Sequence, residues 1–61
     1  MTRILLDPPI RDLHSDPEFM QKAEHALREH YGEQRRFRWQ QQTFKFVYQG
    51  QGRWLLYREE A

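Results

Sequence analysis

Cysteine is absent from the chain, and serine occurs once, at Ser15. Without thiols, neither disulfides nor thiolate metal sites can supplement the core, so folding must rest on packing or on a partner. Long apolar runs are missing as well. No stretch approaches the roughly 18–20 residues that a membrane-spanning helix needs, and the first residues lack the apolar stretch of a secretory signal. A cytoplasmic protein without membrane association is therefore expected. Apolar residues are few, at 38%, against 31% charged, a balance that borders on disorder. The aromatics decide against that: four Phe, three Tyr and two Trp, each able to bury roughly 150–250 Å², give so short a chain the means to build a core. At 61 residues there is room for one core, and no internal repeat or linker divides the chain, so residues 1–61 read as one small domain.

Acids are missing from one long stretch. Residues 35–58 contain Arg35, Arg36, Arg38, Lys45, Arg53 and Arg58 with no Asp or Glu, while residues 1–34 carry four cations against seven acids. The net charge of +1 hides this cationic block.

Thr2-Arg3-Ile4-Leu5-Leu6 suits a short strand, which Asp7-Pro8-Pro9 ends because proline lacks the donor a ladder needs. Its pairing is left open by the sequence. Ser15-Asp16-Pro17-Glu18 then fits a helix start, with Ser15 as the cap and Glu18 three residues on. At about 100° per residue, Phe19, Met20, Ala23, Ala26, Leu27, His30 and Tyr31 share a sector of about 140°. Gln21, Lys22, Glu24, His25, Arg28 and Glu29 fill the other side, and Gly32 supplies a left-handed stop.

From Arg35 onward the period becomes two. Arg36-Phe37-Arg38-Trp39, Phe44-Lys45-Phe46-Val47-Tyr48 and Arg53-Trp54-Leu55-Leu56-Tyr57-Arg58 alternate as half-buried strands do. A loop Gly50-Gln51-Gly52, with Gly52 at positive φ, pairs Gln49 with Arg53, Tyr48 with Trp54, Phe46 with Leu56 and Lys45 with Tyr57. A two-residue Gly50-Gln51 loop would instead exchange Leu55 with Leu56 and Tyr57 with Trp54, so the register of the third strand stays open, with the three-residue loop the expected one. A connection Gln40 to Thr43, or a tighter Gln41-Gln42 turn, sets Trp39 opposite Phe44, Phe37 opposite Phe46 and Arg38 opposite Lys45. Both hairpins then put Phe37, Trp39, Phe44, Phe46, Tyr48, Trp54 and Leu56 on one face, matching the stripe of the helix. The expected fold is α+β: one amphipathic helix on one face of a three-stranded antiparallel sheet, with the N-terminal segment as a candidate fourth strand. The other face carries Arg36, Arg38, Lys45, Val47, Gln49, Arg53, Leu55 and Tyr57.

Site chemistry is sparse. His25 and His30 are five residues apart and diverge by about 140° on a helix, where a shared metal would need a spacing of four. No metal site or cofactor is expected. His14, Ser15 and Asp16 resemble a catalytic triad only in name, since triad members meet through the fold and not by adjacency. Gly32, Gly50 and Gly52 do not form a phosphate loop before a helix, so an enzyme is the least favoured class.

The cationic face carries more weight. Arg38 opposite Lys45 would be a like-charge pair, costly in a purely structural sheet. Beside them Val47, Leu55 and Tyr57 form an apolar ridge, and Arg and Tyr are common anchors of interfaces. The plain alternative is a solvated face whose long side chains cover apolar surface. Three functions follow. The first is a non-catalytic binding module, a small regulator or inhibitor, docking Arg36, Arg38, Lys45, Val47, Arg53, Leu55 and Tyr57 on an acidic protein partner. The second is a nucleic-acid binder using Arg36, Arg38, Lys45 and Arg53 on phosphates and Tyr57 for stacking. A pI of about 8.2 and a single aromatic on the face weigh against it. The third is a small enzyme. A second copy on the same face would also explain these residues, so homo-oligomerisation stays open.

Overall fold

The computed structural model describes residues 2–29 and 35–59. Along the chain run β1 (Arg3–Leu6), a 3₁₀ segment (Pro8–Ser15), α1 (Pro17–Glu29), β2 (Arg36–Trp39), β3 (Gln42–Gly50) and β4 (Arg53–Glu59). The strands form one sheet in the order β1-β4-β3-β2. The architecture is α+β, with α1 and the 3₁₀ segment packed on one face of that sheet. β1 takes its place as a fourth strand, parallel to β4, with Ile4 beside Trp54 and Leu6 beside Leu56. The sheet is thus mixed, where the three later strands alone are antiparallel.

The two prolines after Asp7 do more than end β1. Their fixed φ opens a 3₁₀ turn, in which the Ile10 amide donates to the Asp7 carbonyl at 3.0 Å. A departure at Ile10 (φ −116°, ψ 15°) joins two short turns. Ile10, at the junction of the two turns, is buried in the core, and Leu13 of the second turn packs against that core. Nothing in the sequence reading assigned Ile10 a place in the core.

The helix cap is Asp16 and not Ser15. Asp16 Oδ1 accepts hydrogen bonds from the Glu18 amide at 3.0 Å and the Phe19 amide at 3.3 Å, with Pro17 opening the helix. Ser15 Oγ instead donates to the Asp12 carbonyl at 3.0 Å, closing the 3₁₀ segment behind it. The preceding 3₁₀ turn therefore moves the helix start one residue along. Phe19, Ala23, Ala26 and Leu27 are the buried stripe of α1, with Met20 partly buried beside them. His30, Tyr31 and the stop at Gly32 lie outside the described residues.

Phe19 is fully buried and organises the aromatic core. Its ring centroid lies 5.0 Å from Phe44, 5.2 Å from Trp39 and 5.7 Å from Phe37, two of the three contacts edge-on, the arrangement aromatic quadrupoles prefer. Phe46 and Leu56 extend the core beneath, and Phe37 and Trp54 pack at its margin. Tyr48, on the same face by register, remains 54% exposed. Its ring lies against Trp54 at 4.8 Å and its hydroxyl accepts from the Gly52 amide, so it braces the β3–β4 turn and stays outside the core.

The β3–β4 register is the expected one over Lys45–Tyr57, Phe46–Leu56 and Tyr48–Trp54. At its end Arg53 pairs with Gly50 and not with Gln49, which is bulged out of the ladder. Gly50, Gln51 and Gly52 all take positive φ (90°, 56° and 75°). The β2–β3 register departs by two residues. A two-residue turn, Gln40-Gln41, with φ of 49° and 64°, sets Trp39 opposite Gln42, Phe37 opposite Phe44, Arg38 opposite Thr43 and Arg36 opposite Lys45. Because a slip of two preserves facing, Phe37 and Trp39 still point to the helix. The tighter turn stacks Phe37 on Phe44 at 5.5 Å, and its twist suits the strands it joins.

Candidate interaction face of the sheet

Register fixes what the opposite face of the sheet presents. Reading across the strands, Leu5 of β1 lies beside Leu55 of β4, which lies opposite Val47 of β3. This is an apolar row crossing three strands, with Leu5 39% and Val47 41% exposed. On one side the next row is Arg3 and Arg53. On the other it is Tyr57, Lys45 and Arg36, followed by Glu59, Thr43 and Arg38. Five cations and one carboxylate thus surround an apolar centre. α1, Ile10 and Leu13 lie on the other face, and no described element covers this one.

All seven residues singled out in the sequence (Arg36, Arg38, Lys45, Val47, Arg53, Leu55 and Tyr57) lie on this face, but their grouping differs from the one expected. Lys45 faces Arg36, not Arg38. Glu59 closes that pair: its carboxylate reaches Arg36 Nη1 at 3.7 Å and Lys45 Nζ at 3.9 Å. The like-charge repulsion expected of the sheet is therefore relieved within the sheet itself, and it no longer argues for an outside partner. Partly exposed pairs of this kind contribute about 0–1 kcal/mol each, enough to cancel the clash and little more. Arg38, beside Thr43, forms no ion pair among the described residues, and Arg53 reaches only the Gly50 carbonyl, at 3.5 Å.

Four members of the face were not read from the sequence, Thr43 among them because the wider β2–β3 connection expected there ended at it. Glu59 stands one residue beyond the strand as drawn from alternation, and its parity with Tyr57 and Leu55 was the available signal. Arg3 and Leu5 join through β1, whose apolar run gives no hint of its neighbour. Arg35, counted with the cationic block, is not on the face at all. Its guanidinium lies over Trp54 at 4.6 Å and donates through Nη1 to the Leu27 carbonyl at 2.8 Å, occupying an acceptor near the helix end.

The other chemistries considered have little geometry behind them. Among the described residues no three His, Asp or Glu side chains gather where they could hold a metal ion. Asp16 is committed to the helix cap and Ser15 to the Asp12 carbonyl, so neither bonds to His14. No described helix is long and apolar enough to cross a membrane. No family model, curated protein or solved structure matches the chain.

Proposed function

We propose that the chain is a non-catalytic binding module, a small regulator or inhibitor, that lays the outer face of its sheet on an acidic protein surface. The observation that supports this most is the row Leu5, Leu55 and Val47, which crosses three strands with Leu5 and Val47 exposed and Leu55 half-buried between them, bordered by Arg3, Arg53, Arg36, Arg38 and Lys45. An apolar centre with a charged rim is the usual anatomy of a protein interface. Arg38, Arg53 and Tyr57 are the anchors of this reading, Val47 and Leu5 its desolvated centre. A nucleic acid fits the same face less well. Tyr57 is its only aromatic, and it is half-buried, while Tyr48 and Trp54 are occupied with each other on the opposite face.

The test is affinity capture with the whole chain, run beside a Val47→Glu/Arg38→Glu variant and with and without nuclease. The expected result is an acidic protein held at stoichiometric level, indifferent to nuclease and lost with the variant, whose thermal stability should match the parent's. Salt dependence gives the second arm. Binding to mixed DNA and RNA that is tight at about 150 mM salt, with a log–log slope of magnitude about three or more, would replace the protein partner by phosphates, since each phosphate contact contributes roughly −0.9 on duplex DNA.

A further inference from the structure

The sheet has two edges, and they are not equivalent. β2 exposes Arg36 and Arg38 from its outer face, so a second β2 pairing antiparallel with its side chains in phase would set arginine beside arginine. Charged edge strands resist such pairing. β1, Arg-Ile-Leu-Leu, carries one cation at its start and no proline within it. The Arg3 amide donates to the Gly52 carbonyl at 2.8 Å and the Asp7 amide to the Leu56 carbonyl at 2.9 Å. In a parallel ladder alternate residues bond to the same neighbour, so Arg3, Leu5 and Asp7 turn their amides to β4. Ile4 and Leu6 then turn their amides and carbonyls outward, and no backbone or side-chain bond from another described residue meets them. Along this side runs an open groove of about 590 Å³, between β1 and the 3₁₀ segment, lined by Arg3, Ile4, Leu5, Leu6, Arg11 and His14. No carboxylate lines it.

From this we infer that β1 is a receiving edge: an extended, acidic segment of a partner protein adds to it as a fifth strand. Its backbone meets the free groups of Ile4 and Leu6. Its side chains alternate, one set toward Arg11 and His14 on the helix side, the other continuing the row Leu5, Leu55 and Val47 on the outer face. The fitting sequence therefore alternates acidic with apolar residues. Backbone bonds supply attachment and the alternating side chains supply selection, as in other strand additions. The inference rests on the reading of the chain as a protein-binding module and specifies the form in which a partner arrives.

The experiment titrates the ¹⁵N-labelled full chain with the capped peptide Val-Glu-Val-Glu-Val-Glu and, separately, with its lysine counterpart. Saturable shifts and slowed amide exchange at Ile4 and Leu6, with shifts at Arg11 and His14, are expected for the glutamate peptide alone. N-methylating the three valines in one peptide and the three glutamates in another should abolish binding in one case and spare it in the other, because only alternate residues of an added strand face β1. Arg11→Glu combined with His14→Glu, both at exposed positions, should weaken the glutamate peptide roughly tenfold, the sum of one reversed surface ion contact and one new like-charge contact. Equal binding of the glutamate and lysine peptides, equal effects of the two N-methylations, or shifts confined to β2 would each overturn the proposal. Val47→Glu separates it from the face reading: capture of a whole partner is lost there, while shifts at Ile4 and Leu6 with the peptide persist.

Discussion

Replacing Gln40-Gln41 by Asn-Gly should stabilise the protein, and the reasoning depends on the β2–β3 register alone. Both glutamines sit at positive φ, 49° and 64°, in a two-residue turn. The left-handed region costs an L-residue roughly 1–2 kcal/mol. Glycine removes that cost at the second position but adds about 0.5–1 kcal/mol of chain entropy, and asparagine tolerates the first position better than glutamine does. A net gain of about 1 kcal/mol follows, and for a domain of this size that raises Tm by about 4–8 °C. Thermal and urea unfolding followed by circular dichroism, with near-ultraviolet signals from Trp39 and Trp54, would measure it. The companion substitution is Gln42→Gly. Gln42 pairs with Trp39 in the ladder, so glycine there should cost about 0.5–1 kcal/mol. Were the turn Gln41-Gln42, as strand alternation alone allows, Gln42→Gly would stabilise. A Tm that rises with Gln42→Gly and stays flat with Asn-Gly at 40–41 would refute the register and, with it, the pairing of Arg36 with Lys45.

Phe19→Ala removes the ring at the centre of the core and should cost about 3–5 kcal/mol, against a total of roughly 3–9 kcal/mol expected for a domain of this size; loss of the near-ultraviolet spectrum at 25 °C is the expected outcome, and a small Tm shift would contradict the packing. Asp16→Ala should cost about 0.5–2 kcal/mol through loss of the cap, while Ser15→Ala should stay within about 0.5 kcal/mol; the reverse order would return the cap to Ser15. Glu59→Gln, which removes both ion pairs, should lower stability by about 0–2 kcal/mol at low salt, an effect that fades at high salt as the charges are screened.

What was legible in the sequence is what side-chain period determines. Alternation in Phe37, Trp39, Phe44 and Phe46 determines their face, the length of the loop at Gly50-Gln51-Gly52 decides that of Trp54 and Leu56, and the helical stripe of Phe19, Ala23, Ala26 and Leu27 gives that face its cover. Register was less legible because shifts of two residues leave facing unchanged. Composition could not choose between loops at Gln40 to Thr43, since none of Gln40, Gln41 and Gln42 carries a glycine or asparagine signal. The site inherits the same limit: alternation assigns Arg36, Arg38, Lys45 and Arg53 their face, yet it gives Lys45 the wrong neighbour and does not reach Arg3 or Glu59. β1 was recognisable as a strand but not as the partner of β4, because a parallel pairing across the whole chain leaves no local turn to read. Ile10 carries a signal of its own: with Leu13 it makes an apolar pair three residues apart directly after two prolines.

The fold also turns a charge gradient along the chain into one across the molecule. The described carboxylates outside the strands, Asp7, Asp12, Asp16, Glu18, Glu24 and Glu29, belong to the β1 exit, the 3₁₀ segment and α1. Arg3, Arg36, Arg38, Lys45 and Arg53 stand on the outer face of the sheet with Glu59 alone among them. A small domain with this polarity has little net charge to attract a partner from afar, but under the proposed function it would turn its cationic layer toward an acidic surface during encounter, which would speed association more than strengthen the complex. Affinity would then come from what the cations surround. Leu5 belongs to both candidate sites, at the end of the apolar row and on the wall of the groove beside β1. A strand added to β1 would place its apolar side chains next to Leu5 and lengthen that row from three strands to four. Edge and face would then form one continuous surface, steered by charge and held by Leu5, Leu55 and Val47.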